Sequence, residues 1–398
     1  MSTPDRPGGE DNPFAGLPFL GDLMRMLGSQ GGSSWDAATQ MAVSIATGGA
    51  SEPNVDPSAR IELEQFARIA EMHVEEVTGL PLRRAGELRV LPVTCGQWAQ
   101  QAVRDYRPLF EKLSAALNRP PASADAADAT TDPMAAMFGS IMQMMAPLML
   151  GMTTGSMVGH LAEKALGTYH LPLPRPGSAE VQLVAPNIDA FAGEWSIQPQ
   201  ELRMWVCLSE LTHHAVLSVP HVQSRLTDLL ERYVAGFRAD PAALEQALGG
   251  LDISSMSDLE GMRSLFGDPT VLLGVIRSPE QQALLPSLET LVAAIVGYVD
   301  HVIDQLAHRL LGSAGRLTEA LRRRRVEAGD ADRFVERMLG LELTQAAYDR
   351  GSTFVAGVVE RAGAEGLARL WEQPETLPTP AEIAAPGLWL ARVEFISP

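Results

Sequence analysis

The 398-residue sequence predicts a mainly α fold with one or two short strands. From Pro199 to the C-terminus, apolar residues recur almost throughout at the three-to-four-residue spacing of helices. Only two segments alternate like strands, Glu87–Val93 (ELRVLPV) and Glu180–Ala185 (EVQLVA). Hydrophobic residues make up 46% of the chain and charged residues 20%, enough to bury a sizeable core.

Taken in order, residues 1–55 are rich in Gly, Pro, Ser and Asn and predict a flexible arm, with Pro18–Leu27 (PFLGDLMRML) as a short amphipathic docking turn. A helical domain is expected over 56–398. Asp56-Pro57 reads as a helix start, an N-cap acid followed by proline at the first helical position. The helix runs to Gly79, and Gly96–Leu117 reads as another. Residues 119–133 have the composition of a linker. Pro133–Ala162 then contains no Asp, Glu, Lys or Arg and holds eight of the 17 methionines. Gly151, Gly155 and Gly159 in it suit close helix packing. Pro147 and the interior polar residues favour a buried helical hairpin; a membrane contact is the alternative. Later breaks fall at Gly249-Gly250, Gly267–Pro269, Gly312–Gly315 and Gly329.

The formal charge of −18 disfavours nucleic acid and anionic lipid as partners. Two cysteines, Cys95 and Cys207, cannot build a disulfide framework, and the start shows no secretory signal; both point to the cytoplasm. Walker, GxGxxG, Cys-x-x-Cys and GxSxG motifs are absent.

The segment that carries chemistry is Glu201–Pro220 (ELRMWVCLSELTHHAVLSVP). On a helix, Leu202, Val206, Ser209, Glu210, His213 and Leu217 share one stripe, and Met204, Leu208 and Leu211 make the opposite side apolar too. Such a helix is buried, so Glu210 and His213 must be paired, hydrogen-bonded or metal-bound. The window Ser209-Glu210-Leu211-Thr212-His213 is HExxH with its first histidine replaced by serine. In HExxH two histidines one turn apart bind zinc, and the glutamate polarises the bound water.

Longer stretches carry a family resemblance. They are NPFAGLPFLGDL (Asn12–Leu23), EPNVDP (Glu52–Pro57), VAPNIDAF (Val184–Phe191), LRMWVCLSELTHH (Leu202–His214), VGYVDHVID (Val296–Asp304), LGLELTQAAYDRGSTF (Leu339–Phe354) and WEQPETLPTPAEIAAPGLWLARV (Trp371–Val393). Over most of its length the chain resembles an actinobacterial family of zincin-like, zinc-dependent metalloproteases, also described as hydrolases associated with deazaflavin-coenzyme biosynthesis. The resemblance implies a zincin-like helical domain. It also implies a motif of the form H-E-x-T-H, which Glu210, Thr212 and His213 match and Ser209 does not. A second family segment, E-G-H-A-D-x-V-M-D, is matched by Gly297, Asp300, Val302 and Asp304, while Val296 stands where the family has a glutamate ligand. Glu210 is thus expected as a vestigial general base and His213 as a vestigial zinc ligand.

A lone histidine does not make a three-ligand zinc site. Cys207 and His214 lie about 100–120° from His213 around the helix and do not join it. His301 and Asp304, at i and i+3, are a weaker alternative metal pair; His308 is two turns from His301, and a solvated face is the ordinary reading of that stripe. Ser209 and His213 in mid-helix lack an oxyanion hole of turn amides. The expected function is a pseudopeptidase, an interaction module for a protein partner, with no cofactor. Two alternatives stand beside it: an active zinc hydrolase with substitute ligands, and a membrane-associated protein acting through 133–162.

Overall fold

A computed structural model describes residues 33–83, 86–117, 151–175, 177–239, 275–276, 278–312, 314–326, 330–341 and 343–396. The Pro18–Leu27 turn, the 119–133 linker, the first part of the uncharged segment, and the breaks at Gly249-Gly250, Gly267–Pro269 and Gly329 lie outside them.

The chain is mainly helical. Helix α1 (Ser33–Ala46) packs on α3 (Cys95–Leu117), and Ala38 and Ala42 are wholly buried. This corrects the reading of 1–55 as arm throughout: the alternation of small apolar residues between Trp35 and Ala46 is a helix face, masked in the sequence by the Gly- and Ser-rich text around it.

Asp56 starts α2 (Pro57–Thr78) as expected; its Oδ1 accepts from the amides of Ser58 (2.8 Å) and Ala59 (3.2 Å). Gly79 ends the helix in the left-handed region, φ 66°. Glu52, from the EPNVDP stretch, accepts from the amides of Cys95 (2.8 Å) and Gly96 (2.9 Å) at the start of α3. Both alternating segments are strands. β1 (Arg89–Val93) and β2 (Glu180–Val184) form a parallel pair running from Arg89–Glu180 to Val93–Val184. A two-residue antiparallel ribbon, Arg238–Ala239 with Val275–Ile276, was not signalled by the pattern.

A helix over 151–162, α4, is the described part of the uncharged segment, and Val158, Leu161 and Ala162 are fully buried. Its glycines serve contact with α1. A Cβ on Gly155 would stand 2.4 Å from the Ala38 carbonyl oxygen, and one on Gly159 would stand 2.6 Å from Ile45 Cβ.

Next come α5 (Ala185–Glu194), the motif helix α6 (Pro199–Leu217), α7 (Pro220–Ala235), α8 (Pro279–Leu310), α9 (Ala314–Val326), α10 (Asp330–Leu339), α11 (Gln345–Ala368) and α12 (Pro386–Ile396). Helix α6 packs on α2, α5, α8 and β2, and Leu202, Val206, Leu208, Leu211 and Leu217 are at most 1% exposed. The long central helix α8 packs on α11, α6 and α7. It is apolar enough to cross a membrane, but here it is the mostly buried axis of the bundle. Its closest neighbour is α11, met at Gly297 and Gly351. A Cβ on Gly351 would fall 2.0 Å from the Ala293 carbonyl oxygen, and one on Gly297 would fall 2.3 Å from the carbonyl carbon of Gly351. Only glycine at both positions permits this approach.

Candidate active-site cavity

Helices α5, α6, α8, α9 and α10 and the loop after α4 surround a cavity of about 450 Å³. Ser209, Glu210 and His213 reach it from α6, and Val296 and Asp300 reach it from α8. The four positions singled out in the two family-like segments, more than eighty residues apart in sequence, therefore line one space.

Glu210 is held by the loop Leu166–Leu171. The Tyr169 amide donates to its Oε2 over 2.8 Å, and the Thr168 amide also faces it. Burial pushes the Glu210 carboxyl up to about 8, against the pull of those amides and of Arg175. Gly167 makes room for the carboxyl, since a Cβ there would stand 2.4 Å from Glu210 Cδ. The loop is itself anchored. The Gly167 carbonyl accepts from Trp98 Nε1 (2.9 Å), and Thr168 Oγ1 accepts from the Gln182 amide of β2 (2.6 Å). Asn187, in the VAPNIDAF stretch, donates to the carbonyls of Ala162 and Ala165, both over 2.8 Å.

His213 donates from Nδ1 to the Ser209 carbonyl over 2.9 Å, which places its remaining lone pair on Nε2. Its ring stacks on Tyr169, with centroids 5.9 Å apart and planes 13° from parallel. Burial lowers it to about 4, so it is neutral at pH 7. Cys207 lies apart, within 3.8 Å of the Leu63 carbonyl. His214 turns to the Tyr169 hydroxyl, 2.9 Å away. His301 Nε2 meets Gln305, Asp304 Oδ1 accepts from Thr318, and His308 Nδ1 bonds the Asp304 carbonyl. Among the described residues no three His, Cys, Asp or Glu side chains are grouped to hold a metal. At the four motif positions stand the His213 imidazole, the Glu210 carboxylate, the Ser209 hydroxyl and the Val296 isopropyl group, which offers no ligand atom; with Glu210 as the base, that set does not fit a three-ligand catalytic zinc.

Asp300 was named in the sequence only as a family match, and its partner and several other lining residues escaped the sequence reading. Asp300 pairs bidentately with Arg325, 2.7 Å for each bond, and the Arg325 guanidinium lies over the Tyr348 ring at 4.4 Å. Asp332 on α10 bonds His170 Nε2 at 3.1 Å, and beside it burial and the Asp332 charge push Glu336 up to about 7. Arg324 donates to the Lys164 carbonyl and lies over the Phe191 ring at 5.1 Å. The available signal was the run Arg322–Arg325, four arginines together in a chain of charge −18.

The fold is thus a helical bundle with a small parallel sheet beside a buried helix that carries Glu210 and His213. The chain matches the zincin-like metallopeptidase family over residues 34–390 and belongs to it. Among solved structures it is similar to a Chloroflexus aurantiacus protein described as a candidate hydrolase with a novel fold. The TM-score is 0.62 at 22% identity, covering 90% of this chain and 98% of that one, a likeness of fold. No curated protein matches the chain.

Proposed function

We propose that this chain is a metal-free member of the zincin-like metallopeptidase family, a pseudopeptidase that keeps the family's cavity as a binding site and acts as an interaction module in the cytoplasm. The observation that carries the reading is the convergence of Ser209 and Val296 on the cavity that Glu210 and His213 line. The family resemblance puts a histidine and a glutamate at those two positions. With a hydroxyl and an isopropyl group there instead, Glu210 has no metal-activated water to act on. The buried free thiols of Cys95 and Cys207 accord with a reducing compartment.

Metal quantification on protein purified without an affinity tag tests this. The expected result is well under one zinc per chain and no peptidase activity. Ser209→His with Val296→Glu is expected to bind zinc, because both side chains face the same space. Stoichiometric zinc in the unmodified protein, with loss of function in Glu210→Gln, would overturn the reading in favour of an active hydrolase with substitute ligands.

A further inference from the structure

We infer that the cavity binds a monocarboxylate with an aromatic or aliphatic body, and that Arg324 receives the carboxylate. The inference deepens the reading of the cavity as a metal-free binding site and rests on it.

The contrast between two neighbours on α9 carries the argument. Arg325 is satisfied by the bidentate pair with Asp300 and by the Tyr348 ring. Arg324, in the cavity wall, has no carboxylate within 4.0 Å among the described residues. It gives one nitrogen to the Lys164 carbonyl and rests on Phe191, which leaves most of its five N–H donors unserved. Asp332 and Glu194 pull on it from beyond 4.0 Å without pairing, so its fork stays open to an anion in the cavity. Planar carboxylate matches its fork.

The rest of the lining chooses among anions. Glu163, Glu194, Asp332 and Glu336 also face the cavity, so a doubly charged phosphate would meet about twice the repulsion that a single carboxylate meets. Phe191, Trp195, Trp205 and Tyr169 supply aromatic surface for an apolar body. The volume of about 450 Å³ suits a small organic ligand.

The test uses full-length protein treated with a chelator, its zinc content measured in the same sample. Trp195 and Trp205 report by fluorescence. The probes are N-benzoyl-phenylalanine and its methyl ester. The acid is expected to bind saturably and the ester at least tenfold more weakly. Arg324→Met should weaken the acid at least tenfold and leave the ester unchanged. Arg323→Met, at an exposed neighbour paired with Glu319, should bind as the unmodified protein does. If Arg324→Met fails to fold, the acid and ester on unmodified protein decide alone. Equal binding of acid and ester, absence of binding by both, or undiminished acid binding in folded Arg324→Met overturns the inference. An acetylated pentapeptide that displaces the acid only when its C-terminus is free identifies a peptide end as the source of the carboxylate; failure to displace identifies a small acid. Zinc that survives the chelator at one per chain overturns the metal-free reading itself, whatever the acid does.

Discussion

The ring of Tyr169 lies flat against the imidazole of His213, centroids 5.9 Å apart, while the amide of the same tyrosine donates to Glu210. One residue outside the motif helix thus touches both Glu210 and His213. The buried pair is supported by a loop, and its stability depends on that loop.

The carboxyl of Glu210 gives a pH signature. Its proton is held to about 8 in the fold, against an ordinary 4.5. Between those values the folded state binds more proton than the unfolded one, so Glu210 costs nothing below about 4.5 and destabilises increasingly as pH rises towards 8, by at most about 1.4 kcal/mol per pH unit. Chemical unfolding at pH 5 and pH 8.5 should show a larger loss for the unmodified protein than for Glu210→Gln. Parallel losses in the two proteins would contradict it.

Gly167→Ala should destabilise by about 1–3 kcal/mol, because the new methyl group meets Glu210. Combined with Glu210→Ala, the cost should be less than the sum of the two single changes. Additive unfolding free energies would show that the two residues do not compete for the same space.

At the α8–α11 crossing, Gly351→Ala should cost about 3 kcal/mol or prevent folding, since the methyl group meets the Ala293 carbonyl and not a movable side chain. Gly363→Ala, on the same helix with nothing within 4 Å but φ 67°, should cost less, through backbone strain alone. Thermal unfolding of the two variants ranks them.

Val206→Asp places an unpaired charge at a site 1% exposed on α6 and should unfold or aggregate the protein. Recovery of soluble protein with an unchanged melting temperature would argue that the motif helix contributes little to the core.

Much of this was legible along the chain. Leu202, Val206, Glu210, His213 and Leu217 announce a buried helix by local spacing alone, and the Asp56-Pro57 pair announces a helix start. Glu210 and His213 were legible as candidates because charge on an apolar stripe requires a partner. Their partners were not. The Tyr169 amide is contributed by the backbone, which leaves no trace in residue type, and Gly167 is extended, so no turn signal marks it. Asp300–Arg325 and His170–Asp332 join residues 25 and 162 positions apart, and pairings of that kind are set by how helices cross. Helix α1 was hidden because small alanine-rich faces resemble linker composition until a neighbour is seen against them.

The glycine contact between α8 and α11 bears on what this protein could become. Gly297 directly follows Val296, and its backbone meets that of Gly351 with no side chain between them. A helix seated this closely cannot roll or slide without opening the seam. Whatever residue occupies position 296 is therefore presented to the cavity from a fixed origin. An exchange of side chain there takes place on an unmoving mount, so the chemistry of the cavity wall at 296 can change without any redesign of the scaffold.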